Sequence, residues 1–133
     1  MTLYVDSSAL LKRYIDEHDS DMAVHLMTTD PVLVTSRLTE VEVRRNLARL
    51  LDSTDLDAAR RQLSEDLDAM ALVVLDAVVC ADAALIAERT LCRSLDALHL
   101  GAARRAGEHT ALLTFDHRQA SVARGLGLAV IGC

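Results

Sequence analysis

Five short apolar runs alternate with longer amphipathic segments along the chain. The runs are rich in Leu and Val, as is typical of strands that are buried on both faces of a parallel sheet. They cover residues 3–5, 32–35, 72–75, 111–114 and 128–131. Because no hairpin turn signal joins any two of them, the pattern predicts an α/β fold, a three-layer sandwich around a five-stranded parallel sheet.

The segments between these runs carry apolar residues at helical spacing. They predict helices over residues 8–17, 20–29, 36–51, 55–70, 77–88 and 94–106, and a short helix that ends at Gly125. Pro31 marks the boundary before the second strand, and Thr39-x-x-Glu42 fits a capping box in the third helix. With no internal repeat or linker, residues 1–133 are expected to form a single domain.

Composition and charge narrow the classes of function. The chain is 51% hydrophobic and only 2% aromatic, so its core must be aliphatic. The formal net charge of −6 has the wrong sign for binding nucleic acid by bulk electrostatics. Binding to nucleic acid would therefore require a local basic patch or bridging metal ions.

Three cysteines, Cys80, Cys92 and Cys133, lack the spacing of metal ligands and are odd in number. This favours reduced thiols in a cytoplasmic protein. No apolar run approaches the ~20 residues that a membrane-spanning helix requires. The sequence therefore predicts no association with a membrane.

Acidic residues follow several of the predicted strands. Asp6 ends the first strand and Asp116 the fourth, and each precedes a helix, where capping is the ordinary role of Asp. If the strand order is 3-2-1-4-5, these two strands are central neighbours at the point where open α/β sheets form ligand crevices. Asp76 also ends a strand, but that strand would lie at the edge of the sheet.

Acids on helices could reach the same crevice. Asp96 lies in the first turn of its helix, and Glu40 and Glu42 lie near the start of another. Because Glu40 and Glu42 point about 200° apart around a helix, only one of them can face a given site. Crowded carboxylates repel one another unless cations neutralise them, and hard oxygen ligands select Mg²⁺ or Mn²⁺. Such ions activate water and bind a phosphodiester.

Two alternatives to metal-dependent chemistry on a phosphodiester remain open. A phosphotransfer domain of the receiver type could use Asp76 as its acceptor, although the only lysine is Lys12. A non-catalytic binding module would use all of these acids as helix caps. Gly-rich phosphate loops, zinc-like histidine spacing and a serine-hydrolase elbow are absent from the sequence. His99 lies one turn after Asp96 and could approach the same site, but a packed or helix-surface histidine is the expectation.

Four motifs resemble the PIN-domain family, and within it the VapC-type toxins of type II toxin–antitoxin pairs. They are Tyr4-Val5-Asp6-Ser7-Ser8-Ala9-Leu10, Ser36-x-x-Thr39-x-x-Glu42, Arg93-Ser94-Leu95-Asp96-Ala97-Leu98-His99-Leu100 and Leu113-Thr114-Phe115-Asp116. The resemblance covers almost the whole chain, in the family's order and spacing. It implies a parallel sheet of order 3-2-1-4-5 and a Mg²⁺- or Mn²⁺-dependent endoribonuclease.

The resemblance also implies roles for individual residues. Asp6 and Asp96 would be the principal metal ligands, Asp116 would hold a second metal or orient water, and the acid of the second motif falls on Glu42. Two hydroxyl residues, Ser8 and Thr114, match the small polar positions around the site.

Partners follow from the same resemblance. It implies a cognate antitoxin that occludes the site, a homodimer and a toxin–antitoxin hetero-oligomer. Arginines near the acidic motifs are expected to contact the RNA backbone, and the candidates are Arg37, Arg45 and Arg93.

Overall fold

The computed structural model describes residues 2–29 and 32–133, and all five apolar runs form strands of one parallel sheet. The strands are β1 (Thr2–Val5), β2 (Val32–Ser36), β3 (Ala71–Val73), β4 (Thr110–Thr114) and β5 (Ala129–Gly132). Their order is β3-β2-β1-β4-β5, which confirms the predicted topology. The boundary predicted at Pro31 lies outside the described residues.

Seven helices connect the strands in the described part of the chain. They are α1 (Ser7–Leu11), α2 (Ser20–Thr29), α3 (Arg37–Leu50), α4 (Ser53–Asp68), α5 (Ala77–Thr90), α6 (Ser94–Arg105) and α7 (His117–Gly125). No helix within residues 2–29 and 32–133 is long and apolar enough to cross a bilayer.

The hydrophobic core has two halves, one on each face of the sheet. Alternate residues of β1 divide between them, since Leu3 and Val5 pack with α1–α4 while Tyr4 packs with α5–α7. This division follows from the two-residue repeat of a strand. Both halves are aliphatic apart from Tyr4 and partly buried aromatic rings at the margin, as the composition predicts. The three-layer sandwich is therefore confirmed.

Two local predictions were wrong. The helix predicted over residues 8–17 ends at Leu11, because the next three amides bond to carbonyls three residues back and tighten the backbone. The capping box is absent as well, since α3 begins at Arg37 and the Thr39 hydroxyl lies 2.7 Å from the Thr35 hydroxyl, with which it shares a hydrogen bond. Glu42 is thereby free to turn away from the backbone.

A cluster of side chains on Asp66 attaches α4 to the segment after α1. Arg13 donates from Nε to Oδ2 at 2.6 Å and from Nη2 to Oδ1 at 3.0 Å, and the Tyr14 hydroxyl donates to Oδ2 at 2.6 Å. Gln62 adds a bond of 2.9 Å. Partial burial alone would raise the pKa of Asp66, but these hydrogen bonds outweigh it and the pKa lies below its usual value.

We expect Asp66→Ala to lower the free energy of unfolding at pH 7 by about 2 kcal/mol, the scale of hydrogen bonds to a charged group. A carboxylate with a lowered pKa stabilises the fold above its unfolded pKa, near 4, and this contribution is lost as the pH falls through the folded pKa. The difference from the unsubstituted chain should therefore shrink below about pH 4. Urea unfolding across this pH range measures it.

Glu65→Ala, at an exposed position on the same helix, is the control and should change stability little. A deficit in Asp66→Ala that stays constant as the pH falls would contradict the ionic role of this cluster.

Candidate active site

Asp6 is buried at the carboxyl end of β1, with an exposed fraction of 2%. Its Oδ1 accepts the Ala9 amide at 2.9 Å, which caps α1, and the Ser8 hydroxyl at 2.7 Å. Its Oδ2 accepts the Thr114 hydroxyl at 2.5 Å. Burial raises the pKa of Asp6, although His99 and these hydrogen bonds oppose the change. None of the ion pairs among residues 2–29 and 32–133 involves Asp6.

Asp116 reaches the same edge from the neighbouring strand. β1 and β4 are paired in parallel with Val5 opposite Leu113, so the residues that follow both strands emerge side by side. The Asp116 Oδ1 caps α7 by accepting the amides of Arg118 and Gln119 at 2.9 and 3.2 Å. Capping uses one oxygen, and Oδ2 faces Arg93.

Arg93 bridges two of the acids. It is the N-cap residue of α6, and its Nε lies 3.0 Å from Asp96 Oδ2 while its Nη2 lies 3.4 Å from Asp116 Oδ2. The Arg93 side chain is 65% exposed, so the guanidinium lies at the mouth of the site. A cation supplied by the chain therefore holds Asp96 and Asp116 together.

Glu42 extends from α3 toward α6. Its Oε1 accepts the Ser7 hydroxyl at 2.7 Å and lies 2.5 Å from His99 Nε2. Burial alone would raise the pKa of Glu42, but the hydrogen bonds from His99 and Ser7 outweigh it, and the pKa is lower than usual. Glu42 is therefore the acid of α3 that faces the site, whereas Glu40 pairs with Arg37 at 3.2 Å.

All four predicted acids line one cleft of about 250 Å³ at the carboxyl ends of β1 and β4. The other residues that line it are Ser7, Ser8, Leu11, Asn46, Arg93, His99 and Gln119. A larger cleft of about 470 Å³ lies elsewhere, beside the start of β4 and the residues before β5. Because ligands of open α/β sheets bind at the carboxyl ends of the strands, the acidic cleft is the candidate active site.

The acids suit a divalent cation that retains much of its water. Within the described ranges no three acidic, histidine or cysteine side chains stand close enough together to ligate one ion directly. Mg²⁺ is commonly bound through one or two carboxylates, with water and substrate phosphate as the other ligands. The buried Asp6 carboxylate, which has only neutral donors in contact, supplies a charge that such an ion would compensate.

Other predicted site residues lie outside the cleft. Arg37 is paired with Glu40, and Arg45 is exposed on α3, so Arg93 alone of the three predicted arginines lines the cleft. Asp76 caps α5 through the Val79 amide at 3.0 Å, next to the edge strand β3. Asp76 therefore lies outside the acidic cleft, where the acceptor of a receiver-type phosphotransfer site would have to be.

Three polar residues of the cleft, His99, Asn46 and Gln119, were not among the predicted site residues. His99 is 3% exposed and bonds Glu42, and its spacing of three from Asp96 already indicated a shared helix face. Asn46, one turn after Glu42, had the same signal. Gln119 had none: it is 2% exposed, its carboxamide lies 3.2 Å from the Thr114 hydroxyl, and its Nε2 has no partner within the described residues.

Comparison with known proteins agrees with this geometry. The family model of the PIN domain matches residues 3–125. Ribonuclease VapC35 of Mycobacterium tuberculosis is 37% identical over 134 residues, which cover 97% of this chain and 95% of the relative.

Solved structures share the fold at low sequence identity. A toxin–antitoxin complex from Klebsiella pneumoniae contains a chain that matches with a TM-score of 0.74 at 14% identity, covering 99% of this chain and 97% of that one. VapC20 of M. tuberculosis, a sarcin–ricin loop cleaving toxin, matches with a TM-score of 0.73 at 20% identity, covering 90% and 93%. With a matching family model over nearly the whole sequence and a relative at 37% identity, this chain belongs to the PIN-domain family.

Proposed function

We propose that this chain is a divalent-metal-dependent endoribonuclease that hydrolyses RNA phosphodiester bonds. The observation that carries the proposal is the meeting of Asp6, Glu42, Asp96 and Asp116 in one cleft, although they come from four separate parts of the chain. The relative with 37% identity is named a ribonuclease, which supports the same activity. Residues 1–133 would act as one ribonuclease domain.

The proposed roles follow from the contacts of each acid. Asp6 and Asp96 would be the principal ligands of Mg²⁺ or Mn²⁺, with Asp116 and Glu42 completing the acidic wall. Ser8 and Thr114 donate to opposite oxygens of Asp6, at 2.7 and 2.5 Å, and so fix the plane of its carboxylate. When bound, a divalent ion supplies Lewis-acid stabilisation of charge at the phosphate and activates water.

The protein would bind RNA through the phosphates of the RNA backbone rather than through base stacking. Aromatic residues make up only 2% of the chain, too few for a stacking platform. Arg93 lines the cleft and presents a planar guanidinium that can bind a phosphate through two donors. Arg37 and Arg45, both exposed on α3, would contact the backbone farther along the strand.

We also propose that the chain is the toxin of a type II toxin–antitoxin pair. A cognate antitoxin would occlude the cleft, and the assembly would contain a homodimer of this chain within a hetero-oligomer. The similarity in fold to a chain from a toxin–antitoxin complex supports this arrangement. The cytoplasm, where RNA and antitoxin meet, is the proposed location.

We expect Asp6→Asn to abolish metal-dependent cleavage while leaving the fold intact. Loss of a metal ligand removes several kcal/mol of transition-state stabilisation, which is roughly a hundredfold or more in rate. Asn caps helices as well as Asp does, and the substitution removes a buried charge that has hydrogen bonds but no ion-pair partner among the described residues. The melting temperature without metal should therefore be unchanged or higher. Cleavage of a broad RNA pool with Mn²⁺, and thermal unfolding with EDTA, measure the two effects.

Asp76→Asn is the matched control, because Asp76 also follows a strand and caps a helix through an amide three residues on. It should keep full activity. Purified, antitoxin-free chain that cuts no RNA with Mn²⁺ would overturn the proposed function. Equal activity of both variants would show that Asp6 serves only as a cap.

We expect Arg93→Gln to change metal and RNA binding in opposite directions. The guanidinium contacts Asp96 and Asp116, so it competes with a cation for those carboxylates. Its removal should tighten Mn²⁺ binding, measured by electron paramagnetic resonance, by several-fold. The same substitution should weaken binding of a fluorescent RNA in Ca²⁺, measured by anisotropy. Arg49→Gln, at an exposed position on α3, is the control, and movement of both affinities in the same direction would contradict this role.

A further inference from the structure

A continuous chain of polar side chains runs from the interior of the sheet to the cleft. The Tyr4 hydroxyl lies 2.9 Å from Ser36 Oγ and 3.0 Å from His99 Nδ1. On the other side of the imidazole, His99 Nε2 lies 2.5 Å from Glu42 Oε1. These hydrogen bonds thus link β1, β2, α6 and α3, and the series ends on Glu42, the one predicted site acid that belongs to α3.

The hydrogen bonds from Ser36 through Tyr4 and His99 to Glu42 are mutually consistent. If Ser36 donates to Tyr4 and Tyr4 donates to Nδ1, then Nε2 carries the imidazole proton and donates to Glu42. Burial raises the pKa of Tyr4 to about 12, so its hydroxyl keeps the proton that this pattern needs. Both nitrogens of His99 are therefore occupied, as a buried imidazole requires.

The contacts on Glu42 fix its orientation. The hydroxyl of Ser7 donates to Oε1, the same oxygen that lies against His99, so two groups hold one side of the carboxylate. In the described part of the chain no hydrogen bond reaches Oε2. With Oε1 held and Glu42 27% exposed, Oε2 is the oxygen available to the cleft.

We propose that His99 is a positioning residue, which acts through Glu42 by holding Oε1 so that Oε2 is presented to the cleft. Tyr4, supported by Ser36, orients the imidazole through Nδ1, and Ser7 also holds Oε1 of Glu42. The inference rests on the proposed function, because it assigns His99 a part in that same site. Partners of metal-binding carboxylates commonly change affinity or activity by about 10- to 100-fold when removed.

The experiment compares His99→Gln with His99→Leu. Glutamine carries an amide donor at about the reach of Nε2, whereas leucine fills similar space without a donor. We expect His99→Leu to lower kcat on RNA by roughly tenfold or more, with KM changed less than about twofold, and to weaken Mn²⁺ binding by roughly tenfold. His99→Gln should recover most of both losses. His25→Gln, at an exposed position on α2, is the control.

A double-mutant cycle tests whether His99 acts through Glu42. In a Glu42→Ala background, His99→Leu should cause no further loss of Mn²⁺ affinity. Full, independent losses from the two substitutions would overturn the proposal, as would equal values for His99→Leu and His99→Gln. If His99→Leu does not fold, Tyr4→Phe takes its place, since it removes only the hydroxyl that contacts His99. If Tyr4→Phe then has the same kcat and the same Mn²⁺ affinity as the unsubstituted chain, the proposal is overturned.

The unsubstituted chain separates this inference from the proposed function. If it neither binds Mn²⁺ nor cleaves RNA, the proposed function and this inference both fail. If it does both and the His99 variants match it, only the positioning role fails.

Discussion

The buried charge of Asp6 is the constraint on which the rest of the site depends. A carboxylate removed from water is costly unless hydrogen bonds or cations compensate it. Here the donors are the Ala9 amide, the Ser8 hydroxyl and the Thr114 hydroxyl, and they come from both the start of α1 and the end of β4. Helix α1 must therefore begin directly after β1, and β4 must lie beside β1. These two requirements also bring Asp116 to the same edge.

Much of this arrangement was predictable because it depends on local sequence patterns. Apolar runs of strand length, separated by helical spacing, gave the parallel sandwich, and the acids that end the first and fourth runs indicated where chemistry would lie. Asp6 and Asp116 are both caps and members of the cleft. The two roles are compatible, since in Asp116 one oxygen caps α7 while the other meets Arg93.

What the sequence could not reveal depends on contacts between distant segments. The helix predicted over residues 8–17 stops early, and in the segment that follows Arg13 and Tyr14 bond to Asp66, more than fifty positions away. The spacing from Thr39 to Glu42 fits a capping box, yet Glu42 binds His99 on another helix instead. Local patterns favour the nearest available partner, and only the folded chain offers the distant one.

The arginine between Asp96 and Asp116 has a consequence for how the protein matures. Arg93 already offsets the repulsion between those two carboxylates. The surrounding helices can therefore pack together without an ion from solution. Arg93 thus lets α6 and the start of α7 come together in an environment poor in divalent ions.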